Sequence, residues 1–253
     1  MKDILLKIEN ATVKLDGVKV LDDVNLEIRE NDFIGVIGPN GGGKTTLVKL
    51  ILGLLKPDKG KVIYHIPHNT RHSKIGYLPQ VHAFDKKFPI LVQDVILSGI
   101  SGNKKLISRH TKAEKELAVF WMDKLRIGHL KGKSIGNLSG GEMQRVFLCR
   151  SLISDPELII LDEPDTYVDN QFEKELYEEL RELNARMAIL LISHDVGTIS
   201  TYIKSIACVN KQLHYHPSNI ITEKQLASYN CPIQMITHGD VPHTVLGKHD
   251  HEH

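Results

Sequence analysis

Between residues 4 and 28 apolar and polar positions alternate with a period of two, and the alternation is interrupted at Asp16-Gly17. Successive strand side chains point to opposite faces, so this pattern predicts two antiparallel strands joined by a tight Asp-Gly turn. The run Phe33-Ile34-Gly35-Val36-Ile37 is apolar throughout and reads as a buried strand. It leads into a glycine-rich loop, and helical spacing over 44–55 predicts a helix that Pro57-Asp58-Lys59-Gly60 ends. The order is strand, glycine loop, helix.

Helical periodicity dominates 85–153: segments 92–99, 111–125 and 140–153 each present one apolar face, and Thr111 with Glu114 forms a capping-box signature. Aliphatic strand patterning resumes at 158–162 and again at 187–192, with an acidic helix over about 170–184 in between. Strands that alternate with helices predict an α/β fold with a parallel sheet. The division expected is one domain over 1–230, with a core at about 1–84 and 154–216 and a helical insertion at about 85–153. A polar, histidine-rich tail at 231–253 is expected to be disordered, from just after Tyr229.

Charge changes this picture little, since 32 Lys and Arg stand against 31 Asp and Glu. No basic block tracks a phosphate backbone, which argues against nucleic acid as a partner. Cys149, Cys208 and Cys231 are odd in number and widely spaced. They read as reduced, buried thiols, with neither a disulfide nor a cysteine zinc site expected. The most apolar run, 47–55, carries Lys49 and is too short to span a bilayer, and the start of the chain lacks a signal-sequence pattern. A cytosolic chain is expected, reaching the membrane through a partner.

Gly38-Pro39-Asn40-Gly41-Gly42-Gly43-Lys44-Thr45-Thr46 has phosphate-loop spacing. Its glycines let backbone N–H groups curl around a phosphate, and the following helix turns its positive end to the same anion. Lys44 is placed to reach the β and γ oxygens, and the Thr45 hydroxyl suits Mg²⁺. Asp162 ends an apolar strand, where a carboxylate can hold Mg²⁺ directly or through water; taken alone, an Asp-Glu pair such as Asp162-Glu163 is often only a solvated turn. Ser139 with Glu142 forms a second capping box, and the helix end it opens, at Gly140 and Gly141, is an anion site.

These segments stand in a fixed order: the glycine loop, Gly76-Tyr77-Leu78-Pro79-Gln80, Leu138-Ser139-Gly140-Gly141-Glu142-Met143-Gln144-Arg145, the strand ending in Asp162-Glu163, and Ile192-Ser193-His194-Asp195. In that order the chain resembles the ATP-binding cassette ATPases. The resemblance implies a P-loop ATPase core with an N-terminal antiparallel β-subdomain and a helical insertion. It assigns Glu163 as general base, His194 as the grip on γ-phosphate and water, and Gln80 as a sensor of metal and phosphate. Mg²⁺ would be held by Thr45, Gln80 and Asp162. Ser139, Gly140, Gly141 and Asp169 would complete the ATP site of a second copy in a head-to-tail homodimer. Two positions depart from the family pattern: Leu15 stands where an aromatic residue usually stacks on adenine, and Tyr167 stands where a small residue is common.

Within the family the chain most resembles the ATPase subunits of zinc or manganese importers. The segments that carry this are 88–99, 213–216 and 236–246. The implied partners are an integral membrane permease and, indirectly, an extracytoplasmic substrate-binding protein, and the implied place is the cytoplasmic face of the membrane. Importers or exporters of iron chelates, lipid or polysaccharide stay open as the alternative, as does, less strongly, a non-transport cassette ATPase. A groove lined by 81–99, with Phe84, Phe88 and Ile90, is expected to receive a permease helix. Five of the fourteen histidines follow Ile236. His238, His243, His249, His251 and His253 have two open readings, a solvated tail and a weak metal site.

Overall fold

The computed structural model describes residues 2–67, 74–80, 89–100, 110–164, 170–194, 196–220, 233–237 and 242–246. The chain forms two compact units, one of residues 1–65 with 190–253 and the other of 66–189.

In the first unit, β1 (Ile4–Leu15) and β2 (Val18–Arg29) pair antiparallel, and Leu15 opposite Val18 closes the hairpin. Asp16 and Gly17 both have positive φ, 50° and 79°, the backbone that a two-residue primed turn requires. The sheet order is β2-β1-β4, with β4 at Lys59–Tyr64. Strand β3 (Phe33–Ile37) is buried along its whole length, and α1 (Lys44–Ile51) follows the glycine loop. That helix ends four residues earlier than its periodicity suggests. Gly53 takes φ 68°, its N–H bonds the Leu50 carbonyl at 3.1 Å, and the Leu54 N–H bonds that of Lys49 at 2.9 Å. Tyr64 adds its hydroxyl, 3.1 and 3.0 Å from the carbonyls of Leu50 and Ile51.

Strand β8 (Ser205–Asn210) runs parallel to β3, with Ile34 opposite Ser205 and Ile37 opposite Cys208, and then turns at Lys211 into antiparallel β9 (Gln212–His216). Two expectations are corrected here. Cys208 is disulfide-bonded, while Cys149 is a free buried thiol whose ionisation burial disfavours. The number and spacing of cysteines carry no distance, so the pairing was not readable from them. The tail also contains ordered backbone: β10 (Ile233–Thr237) and β11 (Pro242–Leu246) pair antiparallel, Ile233 opposite Leu246, and β11 lies against α6 (Val196–Ser200). The alternation in 233–237 was hidden by the polar composition around it.

In the second unit, β5 (Ile75–Leu78) and β6 (Leu158–Asp162) are parallel, with Leu78 opposite Leu161. Its helices are α2 (Val92–Leu97), α3 (Lys112–Lys124), α4 (Gly140–Leu152) and α5 (Asn170–Leu183). Helix α2 tightens into a 3₁₀ turn at Ser98–Ile100. Helix α4 packs on α2, α3 and β5 through Val146, Leu148 and Leu152, all fully buried. The capping box of α3 forms as expected, the Thr111 hydroxyl accepting from the Glu114 N–H. Strand β7 (Ala188–Ile192), also buried throughout, carries the chain from this unit back to the first. Among the described residues no helix is long and apolar enough to cross a membrane.

Candidate nucleotide site

Loop 38–43 is held by backbone packing. A Cβ on Gly38 would stand 2.0 Å from the Val209 carbonyl oxygen, and one on Gly42 would stand 2.7 Å from the same atom. The Lys211 N–H bonds the Gly42 carbonyl at 2.9 Å, and the Lys211 carbonyl accepts from Asp22 N–H at 2.7 Å. The turn between β8 and β9 thus clamps the loop from one side. Gly43 stands at the head of α1 with φ 107° and no side-chain cap, so the first N–H groups of the helix are available to an anion. Lys44 is buried, and its ammonium donates to the carbonyls of Gly38 at 2.8 Å and Pro39 at 3.0 Å, which poises it inside the loop. Thr45 faces solvent and Thr46 is buried. In the same unit, the Ser193 N–H bonds the Val36 carbonyl at 3.2 Å, which fixes the exit of β7 just before half-buried His194.

The acidic pair lies in the second unit. Asp162 is buried at the end of β6, and the Tyr77 hydroxyl approaches its Oδ2 at 3.5 Å. Burial, reinforced by the Asp162 charge, pushes the Tyr77 phenol up to about 12, so it stays a neutral hydrogen-bond donor. The Gln80 side-chain amide donates to the Glu163 carboxylate. Glu163 itself has φ 49°, a left-handed backbone uncommon outside glycine. The structure therefore brings Gln80 to Glu163.

At the head of α4, Ser139 forms the expected capping box. Its hydroxyl accepts from Glu142 N–H at 3.2 Å, and the Glu142 carboxylate accepts from Ser139 N–H at 2.8 Å. That backbone donor holds the Glu142 carboxyl below its ordinary range, helped by Lys133 at 3.8 Å. Ser139 and Gly140 are exposed and Gly141 is half-buried, so the helix end is open to an approaching anion.

Asp169 and Tyr167 lie outside the described residues, as do Phe84, Phe88, His238, His249, His251 and His253. Of the groove residues, Ile90 is half-buried, and its carbonyl accepts from Ile135 N–H at 3.0 Å. Leu15 is exposed at the hairpin tip. Sequence reading missed Tyr77 beside Asp162, and it missed Gln144, whose Nε2 donates to the Pro164 carbonyl at 2.6 Å. Both lie inside motifs, and the legible signal for Gln144 was an amide placed where a helix turns inward.

Residues 21–166 match the family described as ABC transporter. A probable metal transport system ATP-binding protein of Thermotoga maritima is 36% identical over 225 residues, 88% of each chain. The zinc uptake system ATP-binding protein ZurA of Listeria innocua is 35% identical over 85% of this chain and 86% of its own. The zinc import ATP-binding protein ZnuC of Pasteurella multocida is 36% identical over 83% of this chain and 74% of its own. Among solved structures, a nucleotide-free ATP-binding cassette from an ABC transporter superposes with a TM-score of 0.76 at 26% identity, covering 89% of this chain and 94% of its own. With the family matched over more than half of the chain, and relatives above 30% identity across most of it, the chain belongs to the ATP-binding cassette family of transporter ATPases.

Proposed function

We propose that this ATPase powers the import of a divalent transition metal, zinc or manganese, through a membrane permease. The observation that carries the choice of cargo is the agreement of relatives matched over 83–88% of the chain, all described as zinc or metal transport components. The assignment of site residues rests on the local geometry together with family membership.

In this reading Lys44 and the N–H groups of 38–46 hold the phosphates, with Ser139, Gly140, Gly141 and Asp169 of a second copy closing over them. Thr45, Gln80 and Asp162 offer hard oxygen donors, a set that fits Mg²⁺ with few carboxylates and retained water. Held there, Mg²⁺ would supply positive charge to offset that of the bound phosphates. Glu163 takes the proton of the attacking water, Gln80 orients that carboxylate, and His194 donates to the γ-phosphate. Closure of the homodimer then moves the permease, and hydrolysis reopens it. The membrane location follows from the permease, with a substrate-binding protein delivering the metal from outside.

The test is uptake of labelled zinc and manganese in cells that express the chain with the permease encoded beside it. Glu163→Gln is expected to keep ATP binding, accumulate an ATP-dependent dimer and lose uptake, while Lys44→Ala loses nucleotide affinity itself. Uptake of neither metal by the active wild-type system would reject the cargo. Near-normal hydrolysis by Glu163→Gln would reject the base.

A further inference from the structure

Gln144 is 95% buried on α4, with 5% exposure, and its amide donates to the carbonyl of buried Pro164 at 2.6 Å. An amide in an apolar interior is costly unless it is hydrogen-bonded. An apolar side chain of similar size would pack there without that cost, so the amide implies a positional task. Its partner has local significance. Pro164 follows Glu163, whose φ of 49° is strained for a residue with a side chain, and a residue before proline is further restricted toward extended backbone. Such a conformation persists only when its surroundings fix it. Gln80 fixes the Glu163 carboxylate from one side, and Gln144 fixes the backbone just beyond it.

The placement of Gln144 adds a second consequence. It lies on the helix whose exposed N-terminus carries Ser139, Gly140 and Gly141. In the dimer proposed above, that end touches the ATP held by the other copy, whereas Glu163 serves the ATP of its own copy. We propose that Gln144 is a positioning residue that holds the left-handed turn at Glu163 and ties it to α4, so that engagement of one ATP site sets the base of the other. This rests on the reading of Glu163 as general base and of residues 139–141 as the contact with the opposing ATP. It extends that reading by naming the side chain through which the two sites communicate.

The experiment is steady-state hydrolysis by the purified full chain with ATP and Mg²⁺, alongside binding of a fluorescent ATP analogue. Gln144→Leu is expected to lower kcat about tenfold with nucleotide affinity unchanged within about twofold. Its Hill coefficient for ATP should fall from near 2 toward about 1. Gln144→Glu supplies an independent readout should the leucine variant fold poorly. Its buried carboxyl is raised by desolvation and donates to the Pro164 carbonyl only when protonated. Its rate relative to wild type should therefore rise as pH falls from about 8 to about 6. A folded Gln144→Leu with wild-type kcat and Hill coefficient, or a flat pH ratio for Gln144→Glu, overturns the proposal. Glu163→Gln run in parallel separates the two failures: turnover there removes the base, whereas an inactive Glu163→Gln beside a normal Gln144→Leu removes only the coupling.

Discussion

The carbonyl oxygen of Val209 stands 2.0 Å from where a Cβ on Gly38 would lie. Backbone meets backbone at that point, and Val209 is itself hydrogen-bonded in β8, so neither side can move away at low cost. Gly38→Ala is expected to displace the loop, weaken ATP binding by at least about tenfold and cost about 2 kcal/mol of stability. Gly41→Ala makes the contrast. Its φ of 74° is strained for alanine, yet among the described residues nothing lies within 4 Å of the added carbon, so the expected cost is only about 1 kcal/mol with weaker loss of binding. Thermal melts and titration with a fluorescent nucleotide measure both. Equal effects at the two positions would mean that loop conformation alone, and not the contact with Val209, sets the requirement for glycine.

The elements that position this chemistry were legible where local pattern and tertiary need agree. The hairpin at Asp16-Gly17, the buried strand before the loop and the two capping boxes at Thr111 and Ser139 all follow from short-range rules, and all formed as read. Helix α1 was overextended because leucines beyond Gly53 continue the apolar spacing while Gly53 turns the backbone left-handed. What could not be read is long-range contact. No local signal places Val209 against Gly38, or Gln144 under Pro164, across intervals of 171 and 20 residues. The disulfide at Cys208 belongs to the same class, since sequence spacing gives no distance between thiols. The roles of Gln80, Glu163 and His194 came from ordered motifs and not from their types or neighbours. The structure adds that the side chains of Gln80 and Glu163 meet.

Arg145 joins α4 to α5, donating to Glu175 at 2.7 Å and Glu179 at 3.3 Å with its guanidinium largely buried. Burial raises the Glu179 carboxyl, and its Oε2 is buried without a hydrogen-bond partner among the described residues. Arg145→Ala would leave two half-buried carboxylates without their shared cation, at an expected cost of about 2 kcal/mol, less than for a fully buried pair because Glu175 is partly exposed. In a Glu179→Gln background the same change should cost less, because the stranded charge is gone, and a double-mutant cycle by denaturant unfolding measures the difference. Strict additivity of the two changes would show that Arg145 acts through packing of its aliphatic stem.

Glu142 couples the cap of α4 to pH. Its carboxyl is held below the ordinary value of 4.5, first by the Ser139 N–H. A carboxyl with a depressed folded-state pKa contributes stability that is present above its unfolded value and lost as pH falls through the folded one. Glu142→Gln keeps the side-chain acceptor of the capping box and removes only the charge at the positive end of the helix. Wild type should therefore be more stable than the variant by about 0.5 kcal/mol near neutral pH. The gap should hold down to about pH 5 and close below it as Glu142 takes up its proton. Urea unfolding of both proteins across that range tests this, and raising the salt concentration should shrink the neutral-pH gap, since Lys133 and the helix end act through partly exposed charge. A gap independent of pH would mean that shape and hydrogen bonding, not charge, distinguish glutamate from glutamine at this position. The exposed helix end at Ser139 and Gly140 would then owe nothing to the ionisation of its own cap.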